Sequence, residues 1–336
     1  MKSDPAEHHT LASVAALLAQ TIQSYGLDCH LLLRQVGIDP DHYNDPDKRI
    51  PLVKLQQLWL LATEASGDPC FGLQYADYIQ PASLHGMGLA WASSDTLLDG
   101  VKRLIRYQNV VSSALDITLS ETSGGYQLHF HSKATRTPIA AAMDATLAAF
   151  IRMCRITTGP SINPRAVTFM HSAPPCHERF LNFFAAPVEF QAEADSILFD
   201  SHTLESKIPS AHPELARVND GLVYNYLKRL YKNDLTGRVR QQIVEHLPNG
   251  IPKQKLIAHK LNLSLRNLQR KLKGEGTTFK GLIDETRKEL AIEYLTTSNK
   301  PLIEIGYLLG FTESSNFSRA FRRWTGKSPL QYRNST

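Results

Sequence analysis

A chain of 336 residues is too long for one ordinary core and suits two domains of typical size. With 42% hydrophobic and 21% charged residues it can bury a sizeable interior, which excludes an intrinsically disordered chain. The net charge of +5 conceals an asymmetry taken up below. No apolar run reaches the roughly 18–20 residues of a membrane span. The longest, Pro138 to Ile151, is interrupted by Asp144. The apolar stretch Leu11 to Ala19 follows acidic Asp4 and Glu7 and precedes Gln20 and Thr21, which is not the pattern of a secretory signal. Cys29, Cys70, Cys154 and Cys176 are scattered without paired spacing. They read as reduced thiols of a cytoplasmic protein, not as a disulfide or zinc framework.

In chain order, Leu11–Ser24 and Leu27–Val36 have the apolar spacing of amphipathic helices, and a Pro/Asp-rich break follows from Asp39 to Lys48. Leu52–Ser66 and Leu97–Ala114 read as further helices. The period then changes. Leu115–Leu119 and Tyr126–His131 alternate like strands around Ser123-Gly124-Gly125, a hairpin signal. A helix is predicted over Ile139–Thr157, a strand over Ala166–His171 and a helix over His177–Phe184. A strand pair through Val188–Gln191 and Ser196–Asp200 closes the segment. This is a helix-rich α+β domain, and a ligand pocket is expected between its sheet and its helices. Pro209 to Pro213 marks a boundary, and Glu214–Tyr231 carries Leu215, Val218, Leu222, Val223, Leu227 and Leu230 at helical spacing, suiting a connecting or pairing helix.

The last hundred residues hold the positive charge. From Gly237 to Thr336 there are 18 Lys and Arg against 8 Asp and Glu, a net of +10, while residues 1–236 carry a net of −5. A basic tail on a mildly acidic body suits a polyanionic partner. The same tail contains one pattern twice. Lys253–Leu261 places Leu256, Ile257 and Leu261 on one helical face with small Ala258 among them; Asn262-Leu263 turns the chain, and Ser264 is a natural N-cap for a second helix with Leu268 and Leu272 inward. Leu302–Leu309 repeats this with Ile305, Leu308, Leu309 and small Gly306; Gly310-Phe311-Thr312 turns, and Phe317 and Phe321 point inward from the next helix. Ala258 and Gly306 are 48 residues apart and Leu268 and Phe317 are 49 apart, so the second turn is one residue longer. A repeated helix–turn–helix is the economical reading. Between the copies, Thr277–Thr297 forms a long helical pattern, bounded by Gly274 and Gly276 before it and by Ser298-Asn299-Lys300-Pro301 after it.

The outward faces of the two second helices carry the chemistry. The first presents Arg266, Asn267, Gln269, Arg270 and Lys273. The second presents Ser314, Ser315, Asn316, Ser318, Arg319, Arg322 and Arg323. Arg can grip the O6/N7 edge of guanine with two hydrogen bonds, and Asn or Gln can grip adenine. Lys271, Arg322, Arg323 and Lys327 suit phosphates, which supply affinity but little sequence information. A single such side chain is equally a solvated helix face, but both faces together, each behind a turn signature, point to double-stranded DNA.

Competing chemistry is weak. His129 and His131 share one face of a strand and could hold a transition metal, with His171, Cys176 and His177 elsewhere in the segment, but no metalloprotease-type helix motif supplies partners. Glu285 and Glu289 beside Arg287 and Lys288 read as surface ion pairing rather than acid–base catalysis. There is no Gly-x-Ser-x-Gly elbow or phosphate-binding loop. Gly86-Met87-Gly88 lacks the third glycine and the preceding strand of a dinucleotide fingerprint. Tyr75, Tyr78, Trp91 and Tyr107 could line a pocket or simply pack in the core.

The run Ile303-x-Ile305-Gly306-Tyr307-x-x-Gly310-Phe311, then Asn316-Phe317-Ser318-Arg319-Ala320-Phe321-Arg322-Arg323-Trp324-Thr325-Gly326-x-Ser328-Pro329-x-x-Tyr332-Arg333, closely resembles the AraC/XylS transcription-regulator signature. Leu261-x-Leu263-Ser264-x-Arg266-x-Leu268-Gln269-Arg270-x-Leu272 is similar to that family's first recognition helix. The resemblance implies that Arg266, Gln269 and Arg270 reach base edges from the first helix, and Ser314, Ser315 and Arg319 from the second. One departure is Glu313, where a capping Asp or Ser is usual and where a carboxylate would repel phosphate. The order of the N-terminal elements, with Ala186-Pro187-Val188-Glu189-Phe190 and Leu204 to Pro209, more loosely resembles the effector domain of the ornithine-utilisation-regulator branch of that family.

The expected architecture is an α+β effector-sensing and dimerisation domain over residues 1–210, a connecting helix and linker over 211–233, and an all-α DNA-binding domain over 234–336 with two helix–turn–helix motifs joined by a long helix. The expected function is a cytoplasmic, sequence-specific transcription regulator, not an enzyme, controlled by a small-molecule effector. Its DNA-binding residues would be Ser264, Arg266, Asn267, Gln269, Arg270, Lys273, Ser314, Ser315, Asn316, Arg319, Arg322 and Arg323. Promoter DNA, a second copy of the chain and RNA polymerase are the expected macromolecular partners, with no membrane, metal or cofactor. Two alternatives stay open: a constitutive dimeric DNA-binding protein without a pocket, and an enzyme carrying a DNA-binding tail with its site near His129 and His131.

Overall fold

The computed structural model describes residues 8–43, 45, 48–134, 139–231, 235–297 and 300–334, which form two units dividing after Val223. Asp4 and Glu7, part of the Asp39–Lys48 break, Pro138, the 232–233 end of the expected linker, residue 234 of the expected DNA-binding domain, and Ser298-Asn299 lie outside the described residues.

In the first unit, β1 (His9–Leu11) runs straight into α1 (Ala12–Ser24), and α2 (Cys29–Gln35) starts from an Asp28 cap whose carboxylate accepts from the Leu31 amide. Next come β2 (Arg49–Pro51), α3 (Leu52–Ser66), α4 (Phe71–Gln74), α5 (His85–Ala92) and α6 (Leu97–Val111). The hairpin β3 (Leu115–Thr122) and β4 (Gly125–Ser132) leads to α7 (Ala140–Thr158). Then follow β5 (Ala166–Thr168), α8 (Glu178–Phe184), β6 (Val188–Glu189), β7 (Asp195–Phe199), α9 (Ser201–Leu204) and α10 (Pro213–Tyr231). β1 pairs with β2. The main sheet runs β3-β4-β7-β5-β6, antiparallel except for the parallel β5–β6 pair.

The hairpin turns where the glycines predict it. Thr122 pairs with Gly125, which has φ +128°, and a Cβ there would sit 2.0 Å from the Phe199 carbonyl, so only glycine fits. Strand alternation sends Leu128 and Phe130 inward beneath α7, where Phe150 meets Phe130 and Trp91 edge-on at 5.6 and 5.4 Å. His129 and His131 lie on the other face with their rings stacked 5.9 Å apart. A second aromatic cluster joins Phe169, Phe180, Phe184 and Phe190, and Arg155 closes it by donating to the carbonyls of Phe183 and Phe184.

Two readings of the sequence need correction, and one helix escaped it. The strand expected over Ala166–His171 ends at Thr168, because the backbone then turns under the buried Asp195 carboxylate, which accepts from the Met170 amide. The helix α5 carries two glycines and is buried almost all round, so it has no amphipathic period to find. The cysteines are not four unpaired thiols: Cys70 and Cys176 form a disulfide, with Cα atoms 6.2 Å apart across 106 residues of sequence. Spacing along a chain carries no record of which distant segments meet. Cys29 and Cys154 stay free and buried, and burial pushes the Cys154 thiol well up.

The second unit is helical. α11 (Leu235–His246) is followed by α12 (Gln254–Lys260), α13 (Leu265–Gly274), α14 (Phe279–Thr297), α15 (Leu302–Leu308), α16 (Ser314–Thr325) and α17 (Pro329–Asn334). One core collects Val239, Ile243, Ile257, Leu268, Leu272, Leu282, Leu290, Ile305, Phe317 and Phe321.

A buried pair makes the first unit sensitive to pH. His171 donates to the Asp144 carboxylate at 2.7 Å. Burial opposes charge on both groups; at His171 the Asp144 hydrogen bond and charge outweigh it and raise the pKa, while at Asp144 burial dominates and raises the carboxyl. The folded chain therefore holds the His171 proton more tightly than the unfolded chain does. That stabilisation is full below the unfolded value of about 6.5 and is lost as pH rises through the folded one. Thermal midpoints measured from about pH 6 to about pH 9 should fall for the native chain. His171→Gln should start lower and fall less; an unchanged slope in that variant would remove the pair as the cause.

Candidate nucleic-acid interface

Two helix pairs in the second unit are built alike. α12 is followed by its C-cap Leu261, and Asn262 takes a left-handed φ of +55°, while the amides of Asn262 and Leu263 donate back to the carbonyls of His259 and Ala258. α15 ends at Leu309, Gly310 takes φ +72°, and the amides of Gly310 and Phe311 donate back to Tyr307 and Gly306. Both are the paired reverse bonds of a Schellman ending, which satisfies the last carbonyls and redirects the chain in a residue or two. The second helix then begins after one further residue, Ser264, in the first pair and after two, Thr312 and Glu313, in the second. At Gly310 a Cβ would also lie 2.7 Å from the Leu247 carbonyl, so close approach and φ both require glycine.

The expected contact residues fall on the outward faces of α13 and α16. Arg266, Gln269, Arg270 and Lys273 are exposed and Asn267 is half-buried; Ser315, Arg319, Arg322 and Arg323 are exposed, and Ser314 and Asn316 are half-buried. Ser264 has a structural duty: its hydroxyl accepts from the Asn267 amide and caps α13. Glu313 heads α16 without a side-chain cap and instead accepts from the Ser315 hydroxyl at 3.2 Å. A feature the sequence reading missed recurs in both helices. Arg270 donates to the Asn267 side-chain oxygen at 3.1 Å, and Arg319 donates to that of Asn316 at 2.7 Å, 49 residues further on. Each asparagine holds a long guanidinium in place one turn ahead of itself, which limits the rotamer freedom lost on meeting a base. The Asn-x-x-Arg repeat in the sequence was the available signal.

α14 anchors the turn of the second pair through Arg287, not through the ion pairs its own sequence suggests. Arg287 is 5% exposed, donates to the carbonyls of Leu309 and Gly310 at 2.8 Å each, and lays its guanidinium 4.0 Å from the Phe311 ring centre. Glu285 and Glu289 both grip Arg240 of α11, with Glu289 at 3.1 Å, rather than Arg287 and Lys288. Arg287 lies four residues after Ile283 and three before Leu290, inside the apolar stripe, where a long cation needs buried acceptors.

The other sequence candidates sort out as follows. Burial and the neighbouring His131 lower the pKa of His129, and neither histidine belongs to any group of three metal-ligand side chains among the described residues. Such a group does occur at Asp68, Cys70 and Cys176, where the two sulfurs are bonded to each other. Tyr75 and Trp91 line a cavity in the first unit; Tyr78 and Tyr107 are not in its wall. No helix among the described residues is long and apolar enough to cross a membrane.

Both units resemble parts of known proteins. Residues 257–335 match a helix-turn-helix domain, and residues 26–208 match the arabinose-binding domain of AraC transcription regulators. The fold and its basic helical unit thus define a DNA-binding transcription regulator with an effector-binding type of N-terminal domain. Within that class, the chain belongs to the AraC family. It is similar to the ornithine utilization regulator of Pseudomonas aeruginosa, at 30% identity over 95% of this chain and 94% of that one. It is also similar to the transcriptional regulator VirS of Mycobacterium tuberculosis, at 28% over 93% and 92%. The regulator VqsM of Pseudomonas aeruginosa is 32% identical over 46% of this chain and 48% of its own. These relatives are regulators of transcription, which favours a non-enzyme.

Replacing Arg287 with Met keeps the volume but orphans two carbonyls and removes the stacked cation. Stability of the second unit should fall by about 2–4 kcal/mol. Arg287→Lys should recover part of it. Denaturant unfolding of both variants gives the answer, and an unaffected Arg287→Met would show that the turn holds without its anchor.

Proposed function

We propose that α12–α13 and α15–α16 are two helix–turn–helix motifs held apart by α14, and that α13 and α16 read successive major grooves of one operator. The paired Asn–Arg arrangement at the same place in both outward faces is the observation that carries this reading. The 19 residues of α14 span about 28 Å, near the 34 Å repeat of B-DNA, as two modules on one face of the duplex require. Arg266, Gln269 and Arg270 would contact base edges from α13, and Ser314, Ser315 and Arg319 from α16. Lys271, Lys273, Arg322, Arg323 and Lys327 would neutralise phosphates, and Asn267, Asn316 and Ser264 would position their neighbours. Residues 1–210 sense an effector, 211–233 connect, and 234–336 bind DNA. An effector acts by preferring the DNA-competent arrangement, which takes a difference in affinity of about 1–3 kcal/mol.

The reading includes a cytoplasmic homodimer that engages RNA polymerase at the promoter. Leu215, Val218 and Leu222 support the dimer: they form an exposed apolar stripe at helical spacing on α10, which buries Ala216, Asp220 and Val223 on its other side. Asp220 there accepts from Arg103 of α6 at 3.2 Å, which fixes the helix with its stripe outward. A chain carrying Leu215→Ser, Val218→Ser and Leu222→Ser should sediment as a monomer while keeping its fold; a dimer unchanged by these replacements would move the interface elsewhere.

Footprinting on the DNA upstream of the chain's own gene should show protected patches about one helical turn apart. Arg270→Ala should weaken specific binding by about 5–150-fold and nonspecific binding little. Lys271→Ala should weaken both equally and reduce the salt slope by about one. Equal losses on both DNAs for Arg270→Ala would take it out of base reading.

A further inference from the structure

The first unit contains a cavity of about 200 Å³, partly open to solvent, where the sheet meets α1, α3, α5, α6 and α7. It exceeds the engineered pocket of about 150 Å³ that binds benzene, so it is larger than a packing defect. Trp59, Tyr75, Trp91, Phe130 and Phe150 supply aromatic wall, and Met143 adds an adaptable thioether. None of the described residues lining it is Asp, Glu, Lys, Arg or His.

Among the polar side chains of the wall, which also include Gln56, Tyr75 and Ser132, three are committed to backbone. Gln108 accepts from the Ile117 amide at 2.6 Å, Thr146 donates to the Ala142 carbonyl at 2.7 Å, and Ser112 accepts from the Ala114 amide at 3.2 Å. Thr10 is different. The residue is 4% exposed, and its hydroxyl oxygen is buried without a hydrogen-bond partner. An unpaired buried hydroxyl costs stability unless something completes it.

A sugar carries a hydroxyl on nearly every carbon, and an amino acid carries two opposite charges. Neither could replace the hydrogen bonds it surrenders on leaving water for this wall. We infer that the cavity binds an uncharged, predominantly apolar molecule, an aromatic ring or alkyl chain with one or two hydrogen-bonding groups, one of them for Thr10. The inference rests on the reading of this unit as an effector domain, and it departs from the sugar that the matching domain is named for. α6 gives Leu104, Gln108 and Val111 to the wall and Arg103 to the ion pair with α10, so occupancy bears on the helix leading out of this unit.

The test uses the full-length protein with 1-naphthol and decan-1-ol as apolar probes and L-arabinose and L-ornithine as polar ones. Two of the three tryptophans, Trp59 and Trp91, line the cavity and report occupancy by their emission. Operator affinity is measured on the same samples. The apolar probes should change the emission saturably and raise Tm, and the polar ones should do neither. Ala149→Met, which fills the cavity, should weaken naphthol binding at least tenfold. Thr10→Val, nearly isosteric, should weaken naphthol by about tenfold and leave plain naphthalene unchanged. Binding of arabinose or ornithine with no response to the apolar probes would overturn the inference, and an accompanying change in operator affinity would keep the effector reading. Saturable apolar binding that leaves operator affinity unchanged would support the ligand class and count against effector control. No binding of any probe to the native chain, with its fold intact by circular dichroism, would overturn the inference.

Discussion

The DNA-binding unit depends on one constraint met twice: a helix must stop and a second must start at a steep angle within four or five residues. Four carbonyls at the end of a helix have no intrahelical partner, and leaving them buried without one is costly. A left-handed residue solves the problem by folding the next two amides back onto them, and Asn262 and Gly310 occupy that place. The outward face of each following helix is then aimed by backbone geometry, before any side chain is chosen. The second turn lies against Leu247 and Gly250, which leaves no room for a Cβ, and Arg287 ties its carbonyls to α14. A buried cation is an unusual choice for that task. It works because the carbonyls and the face of Phe311 together replace the water it gives up.

The two units use arginine in contrasting ways. On α13 and α16 the guanidinium groups are exposed, and those of Arg270 and Arg319 are held by asparagines, so they stay available to a polyanion. Inside the units Arg103, Arg155, Arg240 and Arg287 are fixed to carboxylates or carbonyls and join segments distant in sequence. The basic balance of the tail therefore overstates the charge open to DNA. Arg240 and Arg287 are occupied within the unit.

In the first unit the balance of forces differs. Its sheet is narrow, and the burial comes from aromatic rings packed between strands and α7. Such rings leave gaps that smaller side chains would fill, and the gap here is lined almost wholly by apolar atoms. A regulator of this kind needs a region whose packing is improved by a ligand, since only a difference in binding between states can shift their populations.

Much was legible from the sequence because it is local. Helix spacing, the Ser264 cap, the glycine turns, the alternation of β3 and β4 and the repeat in the last hundred residues all depend on neighbours a few positions apart. The outward basic faces were legible for the same reason, since a helix of known phase assigns inside and outside. What required the tertiary structure are the encounters between remote segments. These include the Cys70–Cys176 bond, the transfer of Glu285 and Glu289 to Arg240, the burial of Arg287 and the cavity lined by five helices and a sheet. The helix α5 escaped notice because a segment buried on nearly all sides shows no period. Local propensity and pattern act through bonds and short distances and are written along the chain. A cavity or a buried pair exists only when chain entropy has been overcome by packing, so the fold as a whole decides it.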